Sequence, residues 1–311
     1  MVGVANRSHA HDGIPQVLDP TEFRQLLQAH AVDPARDTRV AVTAGTVIGW
    51  AYTLHQDTVS GEPRCWVFGE VDPAWRGSGH GGRLLDWGIA RAREQLRDAG
   101  RPVPGFVCAD SYVQQLDRDR LLRSRGMAPA RWFEELQRPL AVLPDVGAVA
   151  GISIEPWPEP QRDDEVLLVR DEAFADHWGT ASMTAEVWRN ACRGFGARPD
   201  LSVVAIEAER GRVVSFCLNH RYPADDPLTG RRDGSIDTLG TLRAWRGRGI
   251  ASALIAASLH RFAAAGLTHA TIEVDSDSPT GAGRLYRSLG FEPAEQSAVY
   301  QVPVPAPGES G

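Results

Sequence analysis

The sequence predicts an α/β chain built from two similar halves in tandem. Three observations carry this: a length of 311 residues, against roughly 100 to 200 residues per domain; a proline-bearing interruption near the middle; and one succession of elements that occurs twice. The interruption runs from Pro139-Leu-Ala-Val-Leu-Pro144 to Ile154-Glu-Pro-Trp-Pro-Glu-Pro160. Proline there removes backbone donors and fixes φ, as a linker or domain entrance does. The expected domains are residues 14–145 and 152–305. In each, an apolar run leads into a glycine-rich turn headed by arginine, then an amphipathic segment, a second apolar run, and a short helix-like piece ending at glycine.

In the first half, Cys65 to Val71 reads as a strand and Arg76 to Gly82 as a loop. The helix that follows presents Leu84, Leu85, Ile89, Ala92 and Leu96 at helical spacing and stops at Gly100. A strand near Gly105 to Ala109 and a helix near Arg120 to Arg125, closed by Gly126, complete it. In the second half, Ser235-Ile-Asp-Thr-Leu-Gly-Thr241 reads as a strand, with a bulge expected at Gly240. A loop spans Arg243 to Gly249, and a helix from Ala251 to Ala265 sets Leu254, Ile255, Leu259 and Phe262 on one face, with Gly266 at the left-handed cap. Ala270-Thr-Ile-Glu-Val274 alternates as a strand, and Thr280 to Ser288 reads as a helix stopped by Gly290 ahead of Phe291.

Composition excludes several classes. A formal net charge of −7 argues against a nucleic-acid backbone or an anionic membrane surface as partner. Cys65, Cys108, Cys192 and Cys217 stand without CxxC spacing or a histidine-rich companion, so no disulfide framework and no metal site is expected. Met1 to Gly13 is polar, and no run is long enough to span a bilayer. The expectation is a cytoplasmic protein with reduced thiols, a monomer or homodimer, that meets any anionic ligand at a local site.

That site is written twice, as Arg76-Gly-Ser-Gly-His-Gly81 and Arg246-Gly-Arg-Gly-Ile-Ala251, each between a strand and a helix. Glycine lets the backbone approach a ligand, and successive amides at a helix N-terminus cradle an anion such as the pyrophosphate of an acyl-CoA. Gly77, Gly79 and Gly82 also satisfy the dinucleotide spacing GxGxxG, the mark of a nucleotide-dependent oxidoreductase. The second copy breaks that spacing with Ser252, and neither half offers a well-placed acidic residue.

Both loops resemble motif A of the GNAT superfamily, Q/R-x-x-G-x-G/A, through Arg76, Gly79 and Gly81 and through Arg246, Gly249 and Ala251. Ser278-Pro-Thr-Gly-Ala-Gly-Arg-Leu-Tyr286-Arg-Ser-Leu-Gly-Phe291 is similar to motif B, with Ser278 where the family often has Asn. A tandem pair of this length resembles the mycothiol synthase group of acetyltransferases. The resemblance implies a twisted mixed sheet in each half and acetyl-CoA lying where two neighbouring strands splay. It implies pantetheine pairing with backbone at Leu239, Gly240 and Thr241, and a phosphate cradle at Arg246, Gly247, Arg248, Gly249, Ile250 and Ala251, with Ser278 beside it. Arg76, Gly77, Gly79 and Gly81 form the counterpart in the first half.

Acetyl transfer to an amine needs a neutral nucleophile, oxyanion stabilisation and a proton for the departing thiolate. Tyr286 matches the family tyrosine near the sulfur and is the expected general acid; a partly buried helix-end aromatic is the plainer reading. Aligning Asp119-Arg-Leu-Leu122-Arg-Ser-Arg-Gly-Met127 on Gly283-Arg-Leu-Tyr286-Arg-Ser-Leu-Gly-Phe291 sets Leu122 opposite Tyr286. Leucine donates no proton, so the first half is expected to be degenerate, binding CoA without turnover or serving as structure. Many family members carry Glu where this chain has Ser235, which leaves Asp237, Glu273 and Asp275 as candidate bases or as solvated carboxylates. His177 and Trp178 stand where the fold places its acceptor pocket and read either as acceptor contacts or as an ordinary core and surface pair. Asp225 and Asp226 would suit a cationic amine.

The expected activity is acetyl transfer from acetyl-CoA to a small-molecule primary amine. A non-catalytic acyl-CoA-binding regulator, a transferase of a longer acyl group, and an enzyme joining an amino acid to a protein N-terminus are the alternatives.

Overall fold

A computed structural model describes the chain except for residues 31, 59–60, 102, 159, 176, 181–182, 278–280 and 307–311. In chain order the first half holds α1 (Val2–Asp12), α2 (Pro20–Ala29), β1 (Thr38–Thr43), β2 (Thr46–Gln56), β3 (Arg64–Val71), α3 (His80–Asp98), β4 (Gly105–Tyr112), α4 (Leu116–Arg123) and β5 (Ala128–Pro139). The second holds β6 (Ile152–Pro156), α5 (Asp163–Ala173), α6 (Ala185–Arg193), β7 (Val203–Glu207), β8 (Val213–His220), α7 (Asp226–Thr229), β9 (Asp233–Thr241), α8 (Ile250–Ala264), β10 (His269–Asp275), α9 (Ala282–Ser288) and β11 (Glu292–Val304). Polar Met1 to Gly13, given no element by pattern, forms α1, which buries Val4, Ala5 and Ser8.

The chain divides into two units that are not contiguous in sequence. The first comprises Met1–Trp132, Trp178–Ser182 and Gln296–Gly311; the second comprises Phe133–His177 and Met183–Glu295. The expected domains gave each closing strand to the half it follows. In the structure, residues 296–304 of β11 complete the sheet of the first unit and residues 133–139 of β5 complete that of the second.

Within the first unit β1, β2 and β3 are antiparallel. The β1–β2 turn is Ala44-Gly45, both at positive φ, the conformation that suits a two-residue hairpin. β3 then pairs in parallel with β4 over only three positions, Arg64 with Phe106 to Trp66 with Cys108. β4 runs antiparallel to β11 from Gly105–Val304 to Tyr112–Ser297. One face packs on α3 through Val67, Leu85, Ile89 and Ala92; a second apolar cluster joins Val4 and Phe23 to Trp50 and Tyr52, whose rings stack 5.8 Å apart.

The second unit repeats the plan. β6, β7, β8 and β9 are antiparallel in turn, and β9 pairs in parallel with β10 over four positions, from Asp233–His269 to Ile236–Ile272. β10 runs antiparallel to β5, His269 facing Pro139 and Asp275 facing Phe133. The parallel ladder ends at Ile236 and Ile272, leaving 237–241 and 273–275 without that pairing. Leu254, Ile255, Leu259 and Phe262 of α8 are fully buried, as their spacing predicts, and Gly266 caps at φ 78.

The bulge in β9 is not at Gly240. Gly240 pairs regularly with Phe216, whereas the register shifts beside Leu218 and Asn219, leaving Asp237 as the extra residue. Gly240 answers a different demand: a Cβ there would lie 2.7 Å from the Phe216 ring.

Candidate active site

Each glycine loop forms one short 3-10 turn, an arginine, and two glycines in the left-handed region. Gly77 and Gly79 have φ of 75 and 83; Gly247 and Gly249 have 74 and 83. The conformation favours glycine because a side chain in that region meets its own backbone. Gly79 and Gly249 are the N-caps of α3 and α8, so the first-turn amides, which lack intrahelical acceptors, point out of the loop with the positive end of the helix dipole. The arginines brace this geometry. Arg246 Nε donates to the Thr241 carbonyl at 3.2 Å and its Nη2 to the Ala173 carbonyl at 2.7 Å. Arg76 Nε donates to Val71, and its Nη1 and Nη2 reach Asp12 at 2.6 and 3.0 Å. Arg248 packs over the Trp245 ring and donates to the Ala244 carbonyl.

A cavity opens above each loop where the parallel strands part, about 740 Å³ in the second unit and about 730 Å³ in the first. Leu239, Gly240, Thr241, Arg246, Gly247, Gly249, Ile250 and Ala251 line the second, and Arg76, Gly77, Gly79 and Gly81 the first. Ser278 lies outside the described residues.

The second cavity also gathers Asp237, Glu273, Asp275 and Tyr286. Tyr286, on α9, is 7% exposed, and burial, with the Cys217 thiol adding to it, pushes the phenol above its usual range, so it holds its proton throughout the working pH range. Asp237 accepts from Thr238 Oγ1 at 2.7 Å. Asp275 is buried and accepts from the Asp277 amide at 2.9 Å. His177, tilted on the Phe174 ring at 5.6 Å, lines the wall with it.

Trp178 is engaged elsewhere. Its ring lies 4.4 Å from the guanidinium carbon of Arg64 and 5.6 Å from that of Arg131, within the first unit. Asp226 pairs with Arg221.

Glu135 escaped the sequence reading. It sits on β5 directly across from Glu273, on the same sheet face. Burial first, then Asp233 and Glu295, raise its carboxyl to about 6. Local sequence does not say which sheet a strand joins, so nothing in residues 128–139 set it beside Glu273.

The first cavity has a different chemistry. Leu122, 2% exposed, lines it at the position of Tyr286. The β2–β3 ladder runs unbroken from Gly49–Val71 to Gln56–Arg64, so Asp237 has no counterpart. By register Glu273 corresponds to Asp110, which lies 3.5 Å from Arg118.

Paired glycine loops at splayed strands describe a known plan. Residues 163–291 match the model of the acetyltransferase (GNAT) family. A mycothiol acetyltransferase of Kytococcus sedentarius is 30% identical over 310 residues, covering 97% of this chain and 92% of that protein. The chain belongs to the GNAT acetyltransferase family. As a GNAT protein it is an acetyl-CoA-dependent acyltransferase of the tandem type, similar to the mycothiol acetyltransferases. Its fold is that of a GCN5-related N-acetyltransferase from Sphaerobacter thermophilus, with a TM-score of 0.74 at 24% identity over 99% of this chain and 93% of the other. It is likewise that of a tandem GNAT protein from the clavulanic acid biosynthesis pathway, with a TM-score of 0.67 at 17% identity over 99% and 95%. Among the described residues no helix is long and apolar enough to cross a membrane, and no group of three or more His, Cys, Asp or Glu is placed to hold a metal ion.

Proposed function

We propose that the protein moves the acetyl group of acetyl-CoA to a primary amine of a small molecule, and that the second unit does the chemistry. One observation carries the assignment: Tyr286 lines the second cavity where Leu122 lines the first. The first-turn amides of α8 and the loop from Arg246 to Ala251 hold the pyrophosphate, and the edge of β9 from Leu239 to Thr241, freed where the parallel ladder ends, offers its backbone to pantetheine. With the thioester held there, the acceptor nitrogen attacks from the side of Phe174 and His177. Tyr286 gives its proton to the departing sulfur, and Asp237 or Glu273 accepts the proton lost by nitrogen.

The first unit, through Arg76, Gly77, Gly79 and Gly81, is read as a second acetyl-CoA site without turnover. The conformational identity of the two loops supports binding, and Leu122 with the missing bulge argues against catalysis. The name carried by the relatives makes a thiol-sugar amine of the mycothiol kind one candidate acceptor.

Release of CoA from acetyl-CoA is measured over a panel of amines. Tyr286→Phe is expected to lower kcat at least about 100-fold, the usual worth of a general acid, while Leu122→Tyr leaves it unchanged. Unaltered turnover in Tyr286→Phe would refute the assignment to the second unit.

A further inference from the structure

The bulge that exposes Asp237 also sets it against a buried histidine. Leu218 pairs with Thr238 and Asn219 with Ile236, so Asp237 is looped out of the ladder. Its side chain, 38% exposed, lines the cavity with Oδ1 3.5 Å from Nδ1 of His220. His220 closes β8 and is 6% exposed. Its Nε2 lies 2.9 Å from the Ala191 carbonyl of α6. A carbonyl only accepts, so Nε2 carries the ring proton and Nδ1 of the neutral imidazole is an acceptor, met by the Tyr222 hydroxyl at 2.9 Å.

Nδ1 is also the atom within reach of the carboxylate, so a ring that takes a proton there forms an ion pair with Asp237 while the Tyr222 hydroxyl rotates to accept. Among the described residues, the titratable groups that meet the imidazole are Asp237 from β9 and Tyr222 beyond β8. From α6 come the Ala191 carbonyl and the neighbouring Cys192 thiol, which burial holds neutral. The first unit lacks the whole device. Its β2–β3 ladder has no bulge, and the position of His220 there is Leu54, paired with Trp66.

We propose that His220 is a positioning residue and proton reservoir for the acceptor site, working through Asp237. The proposal rests on the functional reading above. As the nitrogen–carbon bond forms and the carbon–sulfur bond breaks, the sulfur takes the proton of Tyr286. The nitrogen's proton passes to Asp237 and on to Nδ1 of His220. Transfer of one proton through solvent from the imidazolium to the tyrosinate restores both groups.

The test compares wild type, His220→Gln, Asp237→Asn and Tyr286→Phe with acetyl-CoA and the fastest acceptor among tyramine, glucosamine and spermidine, across acid to alkaline pH. Glutamine keeps a donor for Ala191 but takes no proton. His220→Gln is expected to bind acetyl-CoA as wild type does by calorimetry, with KM for acetyl-CoA unchanged. Its kcat falls about 10- to 100-fold, the acid limb of its pH profile moves relative to that of wild type with the same acceptor, and Asp237→Asn moves it too. Independently of any acceptor, an imidazole ¹⁵N signal of wild type is expected to shift in Asp237→Asn, and this signal with the pH profile of Asp237→Asn decides the matter if His220→Gln fails to fold. Wild-type kcat and profile in His220→Gln, or imidazole signals unmoved by Asp237→Asn, would overturn the proposal. Turnover lost in Tyr286→Phe but intact in His220→Gln overturns this proposal alone; wild type inactive on every amine overturns the functional reading with it.

Discussion

Replacing Gly249 by alanine isolates what the loop conformation contributes. Gly249 sits at φ 83 and ψ 0, and a Cβ there meets nothing within 4 Å. No clash is added, and the whole effect is the backbone preference of an L-residue against the left-handed region, about 1–2 kcal/mol. Two responses are available. If the loop keeps its shape, folding stability falls by that amount; if it relaxes toward ordinary φ, the amides swing off the phosphate and acetyl-CoA affinity falls instead, about 5- to 30-fold for the same energy. Gly79 is the internal control, since it has φ 83, ψ −1 and equally open surroundings. Gly79→Ala is expected to cost the same stability yet leave kcat/KM untouched, whereas Gly249→Ala lowers it whenever the loop relaxes. Urea unfolding and calorimetric titration measure the two terms. Unchanged stability together with unchanged acetyl-CoA affinity in Gly249→Ala would refute the argument that the left-handed loop builds the site.

Other perturbations probe the surrounding structure. Gly240→Ala drives a methyl to 2.7 Å from Phe216 and 3.2 Å from Ala173, so a loss of about 1–3 kcal/mol is expected in urea unfolding. Glu135 is raised to about 6 in the fold, so its contribution is full in acid, below the ordinary glutamate range, and is lost as pH rises through about 6. Glu135→Gln is therefore expected to be more stable than wild type at pH 7.5 by on the order of 1 kcal/mol and no different at pH 4, with urea midpoints at both values as the check. Trp178→Ala strips the ring from Arg64, which is 1% exposed, and is expected to lower stability by about 1–2 kcal/mol while Trp178→Phe restores part of it.

The parts of the site legible in the sequence are those whose conformation demands a residue type. The loops could be placed because positive φ leaves glycine behind, at Gly77, Gly79, Gly247 and Gly249. The α8 face could be placed because burial on one side leaves an apolar period. What escaped leaves no such mark. The bulge uses an ordinary aspartate, Asp237, while the nearby glycine that suggested a bulge, Gly240, serves close packing on Phe216. His220 is separated from Asp237 by a twelve-residue connection that holds α7 and by a register shift, and α1 is polar enough to pass for a tail although it supplies Asp12 to Arg76. Trp178 is adjacent to His177 in sequence, yet the two belong to different units.

The crossing of the closing strands bears on how the molecule is made. β4 finds its antiparallel partner when Tyr112 meets Ser297, a stretch of chain that a ribosome at about 5–20 residues per second takes roughly 10 to 40 seconds to deliver. Until then the outer edge of β4 is an open template. The second sheet faces no such wait, since residues 133–139 already stand ready when β10 emerges. Synthesis therefore reverses the order of the genes' halves: the unit translated last is the first that can close, and the unit translated first waits for the final strand. A gene split within residues 140–151 would yield two polypeptides each carrying a strand that completes the other's sheet, fit to assemble by exchange and unfit to fold apart.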